Sequence, residues 1–180
     1  KVDDCLDKIN LSASHLLALV NDVLDMNKLE SGKETIESVS FDLTHLMDDV
    51  ASLVNAQITE MGITHCTHRG ELTHTRLIGS PLRLRQIMLN LFSNAIKYNK
   101  PGGMIDTYAG EVSCDGTRVV YEFRIMDSGI GMSSEFIEKE LFHPFTQEKS
   151  GARTQYKGTG LGMSIVKELI EKMQGTIEVT

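Results

Sequence analysis

Between residues 2 and 30, apolar side chains recur at helical spacing, at Leu6, Ile9, Leu16, Leu17, Val20, Val23 and Leu24, with polar residues on the opposite face. The period predicts one long helix of the bundle or coiled-coil type, stopped at Ser31-Gly32. Alone, that helix would leave an apolar stripe in water, so a second copy or a partner helix is expected to cover it. From residue 34 the pattern alternates. A strand is predicted over 34–42, a helix over 43–60, and short strands over 63–69 and 76–78. Pro81 opens a long amphipathic helix that runs to about residue 99, before Pro101-Gly102-Gly103. Two strands, 104–114 and 118–126, form a hairpin around Asp115-Gly116. A short helix near 134–141, a polar stretch over 146–159, a helix over 161–173 and a last strand from Gly175 complete the chain. Helices mixed with hairpins predict an α/β (α+β) two-layer sandwich, a sheet covered by helices on one face, preceded by the long helix. The division expected is 1–33 for the helix and 34–180 for the sandwich.

Composition narrows the class. The 180 residues are 41% hydrophobic and 24% charged, ordinary for a soluble globular protein. A formal net charge of −7 argues against a nucleic-acid surface, which needs a basic patch. Cys5, Cys66 and Cys114 show no CxxC spacing and are expected as reduced thiols. No apolar run approaches the roughly 18 residues of a membrane span, and no signal peptide is visible. A cytoplasmic domain is expected, cut from a longer chain that could itself be a membrane-bound sensor, since the sequence starts inside a helical pattern.

Candidate chemistry sits in four stretches. In the strand before Asp127-Ser-Gly-Ile-Gly-Met132, parity places Asp127 on the apolar face with Phe123 and Ile125. A carboxylate there needs a hydrogen-bond partner. One reading gives it the exocyclic amine of a flat ligand such as adenine, with Gly129 and Gly131 leaving room. The other makes it a cap of the helix that follows. On the long helix, Gln86, Asn90 and Asn94 recur at every fourth position and Lys97 and Tyr98 continue the stripe. Asparagine amide oxygens suit Mg²⁺, and a lysine suits phosphate; a merely solvated polar face is the competing reading. Gly158-Thr-Gly-Leu-Gly-Met163 opens a helix, a place where backbone N–H groups favour anions. A Rossmann reading fails because no following strand with a ribose-binding acid remains. Finally, Phe142 and Phe145 could anchor a mobile polar lid carrying Lys149, Arg153 and Lys157.

In order and spacing, NLFSNAIKY, DSGIGM, LFHPFTQ and GTGLGMSIV resemble the N, G1, F and G2 boxes of sensor histidine kinases, and the resemblance covers nearly the whole chain. The opening HLLALVNDVLDMNKLESGK is similar to the second helix of that family's dimerisation and phosphoacceptor hairpin. The resemblance implies the Bergerat ATP-binding fold, a mixed sheet packed on helices, with ATP and Mg²⁺ as ligands. It implies that Asp127 binds the adenine amine and that Asn94 holds Mg²⁺. Tyr98, Gly129, Gly131, Lys157, Gly158, Gly160, Leu161 and Gly162 would line the nucleotide, and Asn90 and Lys97 would serve phosphoryl transfer. In hydrolysing relatives the residue at the position of Asn90 is a glutamate that activates water; asparagine cannot act as a general base at neutral pH. The implied activity is therefore protein-histidine kinase, in a homodimeric parent that passes the phosphoryl group to a response regulator receiver domain. Its acceptor histidine is missing here: His15, followed by Leu16-Leu17, belongs to a helix interface. The fragment alone should bind Mg-ATP without autophosphorylating. A Bergerat ATPase is disfavoured by Asn90, and a non-catalytic adaptor would show damage at Asp127, Asn94 or the glycines, of which there is none.

His143 is expected to be structural. His65, Cys66, His68 and His74 invite a zinc test, but alternation puts Cys66 and His68 on one strand face and His65 on the other, a poor tetrahedral start. Ser80 stands where the family often has aspartate, and only a changed helix cap is expected.

Overall fold

The computed structural model describes residues 36–148 and 158–180, with residues 13, 16, 17, 20, 21, 23, 24, 26 and 27, all helical, from the N-terminal stretch. Expectations that fall on His15, Lys149, Arg153, Lys157 and the start of the first strand lie outside the described residues.

The elements follow the sequence pattern closely. Strand β1 (Val39–Asp42) leads into α1 (Leu43–Glu60), which begins where Asp42 Oδ1 accepts the N–H groups of Thr44 (2.9 Å) and His45 (3.2 Å). After β2 (Thr64–Arg69) and β3 (Arg76–Gly79), Ser80 caps α2 (Pro81–Lys97) by accepting the Arg83 N–H at 3.3 Å, with Pro81 pre-set for the first turn. Serine thus fills the cap that the sequence assigned to it. The hairpin of β4 (Met104–Cys114) and β5 (Val119–Asp127) follows, then α3 (Ser134–Lys139) and α4 (Gly162–Lys172).

Two sheets result. β1 and β3 pair antiparallel, with Phe41 opposite Leu77. The larger sheet runs β2-β4-β5, with β2 parallel to β4 and β4 antiparallel to β5. The parallel pair requires a crossover, and α2 lies within it. Inward side chains of β4 and β5, Ile105, Phe123 and Ile125, pack with Val50, Val54 and Ile58 of α1 and Met88, Phe92, Ala95 and Ile96 of α2. A second core joins Ile87 and Leu91 of α2 to Leu161 and to Ile165, Val166 and Leu169 of α4, and Met26 enters it from the N-terminal helical positions. Helix α2 is therefore wedged between two cores, and its polar stripe occupies what remains of its circumference.

One expectation fails. The alternation after Gly175 predicts a strand, yet residues 175–180 hold no strand pairing. Alternation specifies faces only; a strand also needs a neighbour to complete its ladder. Here Ile177 is spent packing against the second core.

Candidate functional site

Along α2, Asn90 and Asn94 are half-buried, and neither carboxamide finds a hydrogen-bond partner among the described residues. Half-buried amides without partners keep their bonding capacity for a ligand, and their oxygens are hard donors that fit Mg²⁺. Lys97 Nζ lies 3.0 Å from the Tyr98 hydroxyl and 4.6 Å from its ring centroid.

Both glycine turns are pressed against this helix. The first meets its C-terminal end: Ile130 N–H donates to the Tyr98 carbonyl at 3.1 Å. A Cβ on Gly129 would collide with that same carbonyl oxygen. The expectation that Gly129 simply clears space for a flat ligand is thereby amended, because the cleared space is filled by the Tyr98 backbone. Gly131, at φ +67° with nothing within 4 Å of a would-be Cβ, is the open position of the pair.

The second turn meets the polar stripe. A Cβ on Gly162 would sit 3.6 Å from Asn90 Oδ1, and one on Gly158 would overlap Lys97 Nζ. Gly160 adopts φ +72° and lies so close to Phe145 that a Cβ would come within 2.8 Å of its carbonyl carbon. The stretch around Phe145 clasps the turn by backbone: Phe145 N–H donates to Gly160 O at 3.0 Å, and Gln147 Nε2 donates to Gly158 O. The ring of Phe145 is not an anchor, since the residue is 67% exposed. Its neighbour Phe142 lies under Lys167, whose Nζ is 5.2 Å from the ring centroid. Leu161 is fully buried in the second core and so offers only backbone to a ligand. The first turn of α4 has no acidic residue and no side-chain cap, which leaves its N–H groups for an anion.

Asp127 ends β5 opposite Ile105, as parity required. Its Oδ1 accepts the Gly129 N–H at 2.8 Å, and no other described residue hydrogen-bonds to the exposed carboxylate. The helix-cap alternative falls, because Ser133 caps α3 by accepting the Phe136 N–H at 3.3 Å. Sequence reading missed Asn99. It is buried; its Nδ2 donates to Met104 O at 3.1 Å, and its Oδ1 accepts from Lys100 N–H (3.0 Å) and Ser128 Oγ (3.3 Å). This one amide ties the end of α2 to β4 and to the first glycine turn. The signal available was its place just past the predicted helix end, where asparagine commonly closes a turn.

The histidines of β2 do not converge. His65 Nε2 lies 3.1 Å from Thr107 Oγ1, and burial against Phe92 pushes its pKa below the usual imidazole range. His68 instead faces Asp106 at 3.3 Å. An apolar cavity of about 110 Å³ between α1, α2 and the sheet, lined by Met47, Met88, Phe92 and Phe123, touches none of the candidate nucleotide residues.

Residues 79–180, which hold every candidate nucleotide residue, match the family described as histidine kinase-, DNA gyrase B-, and HSP90-like ATPase. The chain belongs to that family. Over 174 residues, 97% of this chain, it is 38% identical to the signal transduction histidine-protein kinase BarA of Escherichia coli (strain K12) and covers 19% of that protein. It is 37% identical to hybrid signal transduction histidine kinase B of Dictyostelium discoideum, of which it covers 9%. The chain thus spans about a fifth or less of these relatives. Among solved structures, the catalytic domain of histidine kinase ThkA superposes with a TM-score of 0.62 at 28% identity, over 76% of this chain and 81% of that one. Full-length ShkA in complex with AMPPNP superposes at 0.75 and 29% identity, over 96% of this chain and 34% of that one. The mixed sheet packed on helices is the fold of these catalytic domains. Among the described residues no helix is long and apolar enough to cross a membrane.

Proposed function

We propose that this chain is the ATP-binding catalytic part of a sensor histidine kinase, moving the γ-phosphoryl group of ATP to a histidine upstream of the sequence. The observation that carries the reading is the placement of the second glycine turn against Asn90 and Lys97 of α2, and of the first against the Tyr98 carbonyl at the end of the same helix. Asp127 accepts the adenine amine, held in place by the Gly129 N–H on Oδ1. Asn94 holds Mg²⁺, which supplies charge neutralisation at the phosphates. Lys97 and the backbone of Gly158, Gly160 and Gly162 surround the phosphates. Asn90, beside Gly162, has no basic lone pair with which to deprotonate water, so hydrolysis is slow and the phosphoryl group is kept for a protein nucleophile.

The reading extends to partners. Leu16, Leu17 and Leu24 are 63%, 64% and 50% exposed while Met26 is buried in the second core. These apolar side chains are left for a second copy, as a homodimer requires. A response regulator receiver domain is the downstream partner, and histidine kinase ThkA has been solved in complex with a response regulator, TrrA.

Calorimetric titration with a non-hydrolysable ATP analogue, with and without Mg²⁺, tests the nucleotide site. Binding should depend on the metal, and Asn94→Ala should abolish that dependence while leaving a weaker metal-free affinity. Absence of binding by the folded chain would overturn the proposal in favour of an adaptor.

A further inference from the structure

Away from the nucleotide side, His74, Glu111 and Cys114 each bring a ligand atom within 4.8 Å of the others. They come from separate segments. His74 precedes β3, whereas Glu111 and Cys114 lie near the end of β4. Strand parity alone would send Glu111 and Cys114, three residues apart, to opposite faces. A bulge between Glu111 and Ser113 inserts one unpaired residue, so Glu111 pairs with Tyr121 and Cys114 with Val119, and both return to one face.

The contacts within the group are ordered as a metal site orders them. Glu111 is the inner member, its side chain only 12% exposed. Its Oε2 accepts the N–H groups of Thr73 and His74, each at 3.1 Å, and its Oε1 lies 2.9 Å from His74 Nδ1. A carboxylate only accepts, so Nδ1 carries the hydrogen and Nε2 is left with its lone pair outward. The Tyr121 hydroxyl holds the same residue by its carbonyl oxygen. Nε2 then faces Cys114 Sγ at 4.0 Å, and the Gly116 N–H donates to that sulfur at 3.4 Å, which orients it. A carboxylate behind a histidine whose other nitrogen faces outward is the outer-shell arrangement of zinc-binding imidazoles. Zinc bonds of about 2.0 Å to nitrogen and about 2.3 Å to sulfur at a tetrahedral angle place the donors about 3.5 Å apart. A side-chain adjustment of a few tenths of an ångström reaches that from the observed separation.

We propose that His74 Nε2 and Cys114 Sγ bind Zn²⁺, oriented by Glu111, with water in the remaining positions, so that the ion clips the segment before β3 to the β4–β5 hairpin. The site shares no residue with the nucleotide side.

Cobalt(II) is the probe, because thiolate bound to it gives a near-ultraviolet charge-transfer band. Titration of the full chain without nucleotide should raise that band, and Zn²⁺ should displace it. Cys114→Ser and His74→Ala, both at exposed positions, should lose the band with an unchanged far-ultraviolet circular dichroism spectrum. Cys5→Ser and Cys66→Ser should keep it. Glu111→Gln should weaken binding roughly 10–100-fold. No band in the folded chain, or a band that survives Cys114→Ser or vanishes with Cys66→Ser, would overturn the proposal. So would Cys114 alkylating at the same rate with and without Zn²⁺, the mark of a merely exposed thiol.

Discussion

Asp127 and Gly129 are two residues apart and do different work. The carboxylate has one oxygen on the Gly129 N–H and is otherwise without a described partner, so it presents an acceptor outward. Asp127→Asn would place an amide donor against the adenine amine, and affinity for an ATP analogue should drop by roughly ten- to a hundredfold by calorimetry. Unchanged affinity would remove Asp127 from the site. Gly129 is different, because its constraint is the Tyr98 carbonyl. Gly129→Ala should destabilise the fold by about 1–3 kcal/mol in urea titration even without nucleotide. A variant as stable as the parent would show that the turn and α2 separate at no cost.

At the scale of elements, caps and turns set where each helix and hairpin begins. Ser80 is almost fully buried, accepts the Arg83 N–H and donates to Glu37 Oε1 at 3.3 Å. Ser80→Ala should cost about 1 kcal/mol, read as a shift of the denaturation midpoint at constant slope. In the β4–β5 hairpin, Asp115 Oδ1 accepts the N–H groups of Arg118 (2.7 Å) and Thr117 (2.8 Å) and the Thr117 hydroxyl (2.8 Å). Those bonds, the Arg118 N–H foremost, hold its pKa at about 2 against an ordinary 3.8. A folded pKa below the unfolded one means that the stabilisation is present above the ordinary value, and is lost as pH falls from there through about 2. The stability difference between the parent and Asp115→Asn should therefore narrow across that window; a constant difference would deny the turn its charge. The elements themselves were largely legible in the sequence, since α1 and the β4–β5 hairpin fall where periodicity and Asp115-Gly116 place them. The bulge at Glu111/Ser113 was not, because an extra residue in a ladder leaves the local alternation looking intact.

For the molecule as a whole, α2 is the shared wall of two cores, and Asn90, Asn94 and Lys97, proposed to serve the nucleotide, stand on that wall. Leu169 is fully buried in the core between α2 and α4. Leu169→Ala should cost about 2–5 kcal/mol and should also weaken nucleotide binding, because the second glycine turn leads into α4. Loss of stability with full affinity would show that the turn is held by Phe145 and Gln147 alone. Saturation with Mg-ATP analogue at a hundred times Kd should raise unfolding free energy by about 2.7 kcal/mol in the parent. The chain on its own should form no phosphohistidine from ATP, and a parent segment bearing the acceptor helix should restore it.

The sequence by itself determined the alternation of elements, the cap at Ser80, and the four boxes that place this chain in its family. These are local properties: side-chain period, φ preference and residue order are written along the chain. Only the tertiary structure decided that Gly129 answers to the Tyr98 backbone, that Asn99 ties the first glycine turn to α2, and that residues 175–180 form no strand. It also decided that His74 meets Glu111 and Cys114 rather than Cys66. Each of these depends on which distant segment comes alongside, and no local pattern encodes a neighbour.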